Sequence, residues 1–296
     1  EADFRRIIKE YPKSNLKRGA IEELAITLEK ANKLLDATIV YLENDYLADA
    51  RYMMDIILSV EQVQELLARP NLPNKDEVFY ALGSKYMLDL ELDKAEEAFR
   101  KIQAQASEPK SGQSHDVGTE KLRILEVISE LRTLINAEKA AKTDDEKAKA
   151  TYDIGAYIYH KNNKNEGRHA IFNNVMIQTY DSPYFASNYF TAPEVAKAQK
   201  RFDRANLLLR AEEYFKTVFT KYPKSPEAPK AIYSAALCRL WLVDYHQYHV
   251  YPKRYKADGT VEVDYDNKIR ELDQQQADKY FDLLAKRYPD HPLNQR

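Results

Sequence analysis

Three segments of the 296-residue chain run an apolar pattern in steps of three and four into a Tyr-Pro pair. Ala211, Phe215 and Val218 lead to Tyr222-Pro223. Ala277, Phe281 and Leu284 lead to Tyr288-Pro289, and a shorter copy, Phe4 and Ile7, leads to Tyr11-Pro12. Proline lacks the amide hydrogen and pushes the residue before it out of the helical region, so each pair closes a helix at a fixed distance from its apolar face. A chain that repeats one helical ending repeats one supersecondary unit, and such units bury their apolar sides by stacking on one another. The predicted class is all-α, a helical-hairpin solenoid.

Composition agrees with that class and excludes several others. With 44% hydrophobic and 31% charged residues the chain can fill a continuous core and still cover it with charge, and its 7 glycines leave long stretches free to be helical. A formal charge of -2 gives no basic excess against a phosphate backbone, so nucleic acid is not an expected partner. An anionic membrane finds no chain-wide attraction either, which leaves only local patches. The most apolar run, 231–243, is too short to span a bilayer and is interrupted by Arg239, so no transmembrane segment is expected. The one cysteine, Cys238, excludes an intrachain disulfide framework and a cysteine zinc cage. Its place between Leu237 and Arg239 predicts packing rather than reactivity. The first residues already read as the second helix of a pair, so a segment before Glu1 is expected, and any peripheral membrane association with it.

Along the chain, residues 1–10 read as a helix and Ser14 as the cap of the next. Ile21, Leu24, Leu28, Ala31, Leu35, Thr38 and Leu42 predict one long helix over 16–42, and Leu47, Ala50, Met54, Ile57 and Val60 a second over 46–68. Two helices are expected in 76–107, with Gly83 and Ala95 allowing close approach, followed by a Ser/Gly/Pro-containing joint over 107–118. Helix resumes at Thr119 with Leu122, Leu125, Ile128, Leu131 and Ile135 on its buried side. Thr143 and Glu146 form a capping box, and Ser225-Pro226-Glu227 is a helix start with a hydroxyl cap, an early proline and an acid at the positive end of the dipole. Val261 and Val263 alternate with Glu262 and Asp264 after Asp258-Gly259, which predicts a small β-hairpin over 251–265. The last helix is expected from about Glu271 to Arg287. Two parts follow, 1–110 and 119–296, the second with insertions at 180–193 and 245–266. Both are expected to belong to one continuous solenoid.

Residues 76–107 resemble a tetratricopeptide repeat, with Phe79, Leu82, Gly83 and Tyr86 on the first helix and Ala95 and Phe99 on the second. The family's closing proline is displaced to Pro109. Partial first helices match at Ile154-Gly155 and at Ile232 with Ala236, and second helices at Ala211/Phe215 and Ala277/Phe281. The run from Tyr222 to Ala228 is similar to the linker of tetratricopeptide proteins of the bacterial envelope, such as outer-membrane-protein assembly lipoproteins and the Tol-Pal-associated coordinator. That resemblance implies a right-handed superhelix, a periplasmic or outer-membrane-associated location with the cytoplasm as the alternative, and partner contacts along the first helix of each pair. Carried onto this sequence, those contacts fall on Tyr80, Tyr152 and Tyr233, with Tyr159, His160 and Trp241 further along the same helices. Tyrosine in a groove offers apolar area and a polar tip at low entropy cost. The bland alternative is that these rings fill gaps between helices.

A second candidate surface is the aromatic run with Tyr184, Phe185, Tyr189 and Phe190, which either stacks on a ligand or packs as a plug. His246 and His249 with Asp244 lack defined further ligands for a metal, and Asp258, Asp264 and Asp266 read as strand residues rather than a calcium loop. No phosphate loop, dinucleotide fingerprint, nucleophile elbow or zinc-protease helix occurs. Neither cofactor nor metal is expected. The expected function is a non-enzymatic scaffold that binds other proteins, a subunit of an envelope assembly. A glycan- or small-ligand-binding repeat protein using 180–190 is the alternative, and a carboxylate clamp would have only Lys149 and Lys230 to build from.

Overall fold

The Tyr-Pro pairs fold alike. Tyr11, Tyr222 and Tyr288 each end a helix with their amide hydrogen still donated to the carbonyl four residues back, on Ile7, Val218 and Leu284 at 3.0, 2.8 and 2.9 Å. Tyr11 and Tyr222 leave the helical region with almost the same angles, φ -124 and -126 with ψ 56 in both. Three residues on, Ser14, Ser225 and His291 each donate to the tyrosine carbonyl at 3.0 Å, and the next link, from Lys17, Ala228 and Asn294, follows the same path. One local sequence thus produces one turn three times.

A computed structural model of the chain describes residues 1–103, 117–163, 204, 206–248 and 265–295, and every regular element among them is helical. In chain order these are α1 (Ala2–Glu10), α2 (Leu16–Lys30), α3 (Leu34–Glu43), α4 (Leu47–Tyr52), a π turn (Met53–Ile57), α5 (Val60–Leu67), α6 (Lys75–Leu88), α7 (Leu92–Arg100), α8 (Val117–Ala140), α9 (Asp144–Asn163), α10 (Leu207–Lys221), α11 (Ala228–Tyr248), α12 (Tyr265–Arg287) and a final 3-10 turn (Pro292–Gln295). Residues 251–264 of the expected hairpin, and the insertion at 180–193, lie outside the described residues. Tyr265, expected to end the hairpin, instead begins α12, which therefore starts six residues before Glu271. The chain divides into two units, Glu1–Leu125 and Glu126–Arg296, a boundary inside α8 rather than in the 107–118 joint.

In the first unit two expected helices are each cut in two. The long helix over 16–42 stops at Lys30 because Asn32 takes a left-handed conformation (φ 57), which lets Lys33 donate to the Leu28 carbonyl at 2.8 Å. Asp45 (φ 59) closes α3 and Leu90 (φ 56) closes α6 with the same six-to-one bond, Tyr46 to Tyr41 and Glu91 to Tyr86, both at 3.0 Å. Apolar spacing alone is blind to such stops. The expected helix over 46–68 breaks at Leu58, where Ser59 and Gln62 exchange backbone bonds in a capping box that starts α5. The π turn before it is wholly buried, and the Lys85 ammonium donates to the Asp55 and Leu58 carbonyls at 3.0 and 2.7 Å. A lysine so placed is inside because its charge meets the freed carbonyls of a helix end. Arg51 grips Glu77 through two bonds of 2.8 and 2.6 Å in the same interior.

Close helix approach works as the small residues predict. A Cβ on Gly83 would lie 2.7 Å from the Phe99 ring, so α6 and α7 pack this closely only because residue 83 has no side chain. Gly155 receives Phe215 and Tyr214 in the same way, with a Cβ at 3.0 Å from each. On α8 the buried side is Ile124, Val127, Ile128 and Leu131, while Leu122, expected inside, is exposed.

The second unit repeats its packing. Tyr233 meets Phe281 and, further along α11, Arg239 meets Asp273 earlier on α12, so these neighbours run antiparallel. Helices two places apart run in the same direction. Tyr280 on α12 bonds Glu212 on α10, and seven residues later Arg287 bonds the Phe219 carbonyl, both pairs 68 residues apart in sequence. A capping box between Thr143 and Glu146 starts α9, and the Ser225 hydroxyl accepts from the Glu227 amide at the start of α11, as their sequences predict.

Candidate partner-binding face

Six residues marked from the sequence lie on first helices of the resembling pairs, and the structure sorts them by burial. Tyr80 is interior: it is 5% exposed, and its ring stands edge-on to Phe99 at 5.7 Å. Burial first, then the carboxylates of Glu120, Asp55 and Glu77, pushes its hydroxyl well above the ordinary tyrosine value. As a contact surface Tyr80 is thus corrected to core, for the reason the bland alternative gave. Tyr152 and Tyr233 use their rings in the same way, against Phe215 at 5.2 Å and Phe281 at 6.0 Å, but both remain half-buried.

The remaining positions come together along α9 and α11. The hydroxyls of Tyr152 and Ser234 are 3.2 Å apart. Seven residues further on each helix, the Trp241 side chain lies beside the Tyr159 side chain. Both pairs are 82 residues apart in sequence, so α9 and α11 run side by side in one direction and in register over two turns. Tyr159 is half-buried, its hydroxyl pushed up chiefly by burial, and its ring lies edge-on to His160 at 5.6 Å. His160 is exposed and Trp241 is 42% exposed. The result is a ledge with polar seams between the helices and two aromatic tips facing water. Tyrosine and tryptophan that are held on one edge and open on the other suit an extended apolar segment with hydrogen-bonding groups.

Beneath the ledge lies a charge network that sequence reading passed over. Arg239 on α11 bonds Glu212 on α10 and Asp273 on α12, both at 2.6 Å, and Tyr280 donates to the other Glu212 oxygen at 2.5 Å. Of the adjacent pair Glu212-Glu213, the structure buries Glu212 and leaves Glu213 outside. The available signal was Arg239 inside an otherwise apolar run, since a buried guanidinium requires carboxylates. Burial also pushes the Cys238 thiol up, so no reactive thiolate faces this site.

Lys149 and Lys230 are each paired on their own helix, with Asp153 at 2.8 Å and Glu227 at 3.1 Å. Among the described residues no group of three or more His, Cys, Asp or Glu could hold a metal ion, and no helix is long and apolar enough to cross a membrane. Tyr184, Phe185, Tyr189 and Phe190 lie outside the described residues, as do the side chains of Asp244, His246 and His249. No protein-family model, curated protein or solved structure matches the chain.

Proposed function

We propose that the chain is a non-enzymatic scaffold that binds extended segments of other proteins along the ledge formed by α9 and α11. The observation that carries this reading is the contact of Tyr152 with Ser234, with Tyr159 and Trp241 seven residues further along the same two helices and His160 and one edge of Trp241 exposed to water. The same-direction pairing of α9 with α11 and of α10 with α12 supports a stacked solenoid of the tetratricopeptide type, whose first helices would share one inner surface. The resemblance of the Tyr222–Ala228 run to the linker of envelope proteins is what supports a bacterial envelope assembly as the proposed setting.

Trp241 is the chain's one tryptophan, so the ledge reports on itself. Peptides selected from a random library against the intact protein should blue-shift its emission. They should also bind Trp241→Ala roughly thirtyfold more weakly, the about 2 kcal/mol of a hot-spot aromatic. Selected peptides that leave the emission unchanged and bind the variant equally well would assign binding to another surface.

A further inference from the structure

The turn between α1 and α2 is the first of the three Tyr-Pro turns, and comparison with the other two separates what the turn needs from what this copy adds. The backbone bonds are common to all three. Only the first copy leaves its ring outside: Tyr11 is 57% exposed, whereas Tyr222 and Tyr288 are half-buried and the Tyr288 hydroxyl donates to the Pro223 carbonyl. Five residues on, Leu16 is 68% exposed, more than any other large hydrophobic among the described residues. The equivalent position after α10 is Glu227, an acid where a helix start favours one. α2 begins instead with Leu16-Lys17-Arg18 and has no acid in its first turn, an order that opposes the helix dipole.

The charges around these two side chains are mostly of one sign. Lys9 and Lys13 are exposed and Lys17 is half-buried, and no ion pair engages their ammonium groups among the described residues. Arg18 is paired with Glu22 at 3.0 Å, and Glu10 is the one acid within 9–18. Local choices that cost stability without serving the fold point to function.

We infer that the α1–α2 tip docks on an anionic lipid bilayer, with Tyr11 and Leu16 entering the headgroup boundary and Lys9, Lys13 and Lys17 lying against the lipid phosphates. Apolar side chains ringed by lysines, whose stems stay in the interface while the ammonium reaches outward, are the composition of a peripheral membrane contact. A protein partner fits less well. One turn of about ten residues is far short of the roughly 800 Å² per partner of a stable interface, whereas a bilayer accepts a point contact. These residues are separate from the α9–α11 ledge, and the inference does not depend on that reading.

Sedimentation with vesicles of phosphatidylcholine alone and mixed with phosphatidylglycerol tests it on the full chain. Binding is expected to the mixed vesicles only and to weaken as salt rises. A basic residue near an anionic surface is worth about fivefold in affinity, so Lys9→Gln, Lys13→Gln and Lys17→Gln together should weaken binding roughly a hundredfold. Tyr11→Ser with Leu16→Ser should weaken it about tenfold and keep the salt dependence. These side chains are mostly outside the core, and circular dichroism checks that the variants fold; the salt titration needs no variant at all. No binding to mixed vesicles, equal binding to both kinds, or full binding by both variants would overturn the inference. So would capture on polyglutamate beads that matches the vesicles and ignores Tyr11 and Leu16, which would assign the tip to an acidic polypeptide.

Discussion

Replacing Gly83 by alanine tests the packing logic of the first unit, because the same replacement at Gly19 should act with the opposite sign. Both glycines are helical and lie in the same unit. In a helix interior alanine is favoured over glycine by about 1 kcal/mol. At Gly19 nothing lies within 4 Å of the added methyl, so the gain survives, and Gly19→Ala should stabilise by roughly 0.5–1 kcal/mol. At Gly83 the methyl would sit 2.7–2.8 Å from three atoms of the Phe99 ring. That ring is fully buried and braced by Tyr80, so it must move several tenths of an ångström against packed neighbours. Overpacking of this kind costs about 1–3 kcal/mol, which outweighs the propensity gain. Gly83→Ala should therefore destabilise by about 1 kcal/mol, and the two variants should differ by about 2 kcal/mol in urea unfolding of this unit. A smaller ring should relieve the clash, so Phe99→Leu combined with Gly83→Ala should cost at least about 1 kcal/mol less than the two single changes together. Equal shifts at the two glycines, or additivity of the pair, would refute the reasoning.

Arg239→Met removes the guanidinium that the buried carboxylates of Glu212 and Asp273 share, and should cost the second unit about 3–5 kcal/mol in urea unfolding. A loss below about 1 kcal/mol would mean that water reaches the carboxylates. Glu146 is held below its ordinary 4.5 by the backbone amides of Thr143 and then Lys142. A depressed folded-state value means that its contribution is full above about pH 4.5 and is lost as pH falls through the lowered value. Unfolding curves of the native protein and Glu146→Ala should therefore differ at neutral pH and converge in acid; a gap that widens in acid would reverse the assignment.

What could be read from the sequence was set by how local its cause is. The Tyr-Pro turns, the Thr143 and Ser225 helix starts and the tight seat at Gly83 depend on a few adjacent residues or on one missing side chain, and all stand where the sequence put them. The breaks at Asn32 and Leu58 were missed because apolar spacing runs straight through them. Asn32 is legible as a stop only when its left-handed tolerance is weighed above that pattern, and Ser59 only when Gln62 is read as its partner. Nothing local forecasts Leu90, since leucine is rarely found at positive φ. At the candidate ledge the sequence pointed to α9 and α11, which lie side by side, but could not tell ring contacts from open edges: Tyr80 and Tyr152 occupy matching places, yet one is interior and the other half-open. Such differences arise between helices far apart in sequence.

Arg239 joins three helices through one planar group, and this has a consequence for how the second unit comes apart. Proteins built of stacked helix pairs commonly fray from an end, pair by pair, because each pair touches only its neighbours. Here, peeling α12 away would strip Asp273 and Tyr280 from a charged cluster shared with α10 and α11 and strand ionic groups in a half-open interior. The intermediate is thereby penalised more than either end state. The final three helices should melt as a single cooperative block, with hydrogen exchange in α12 as slow as in α11.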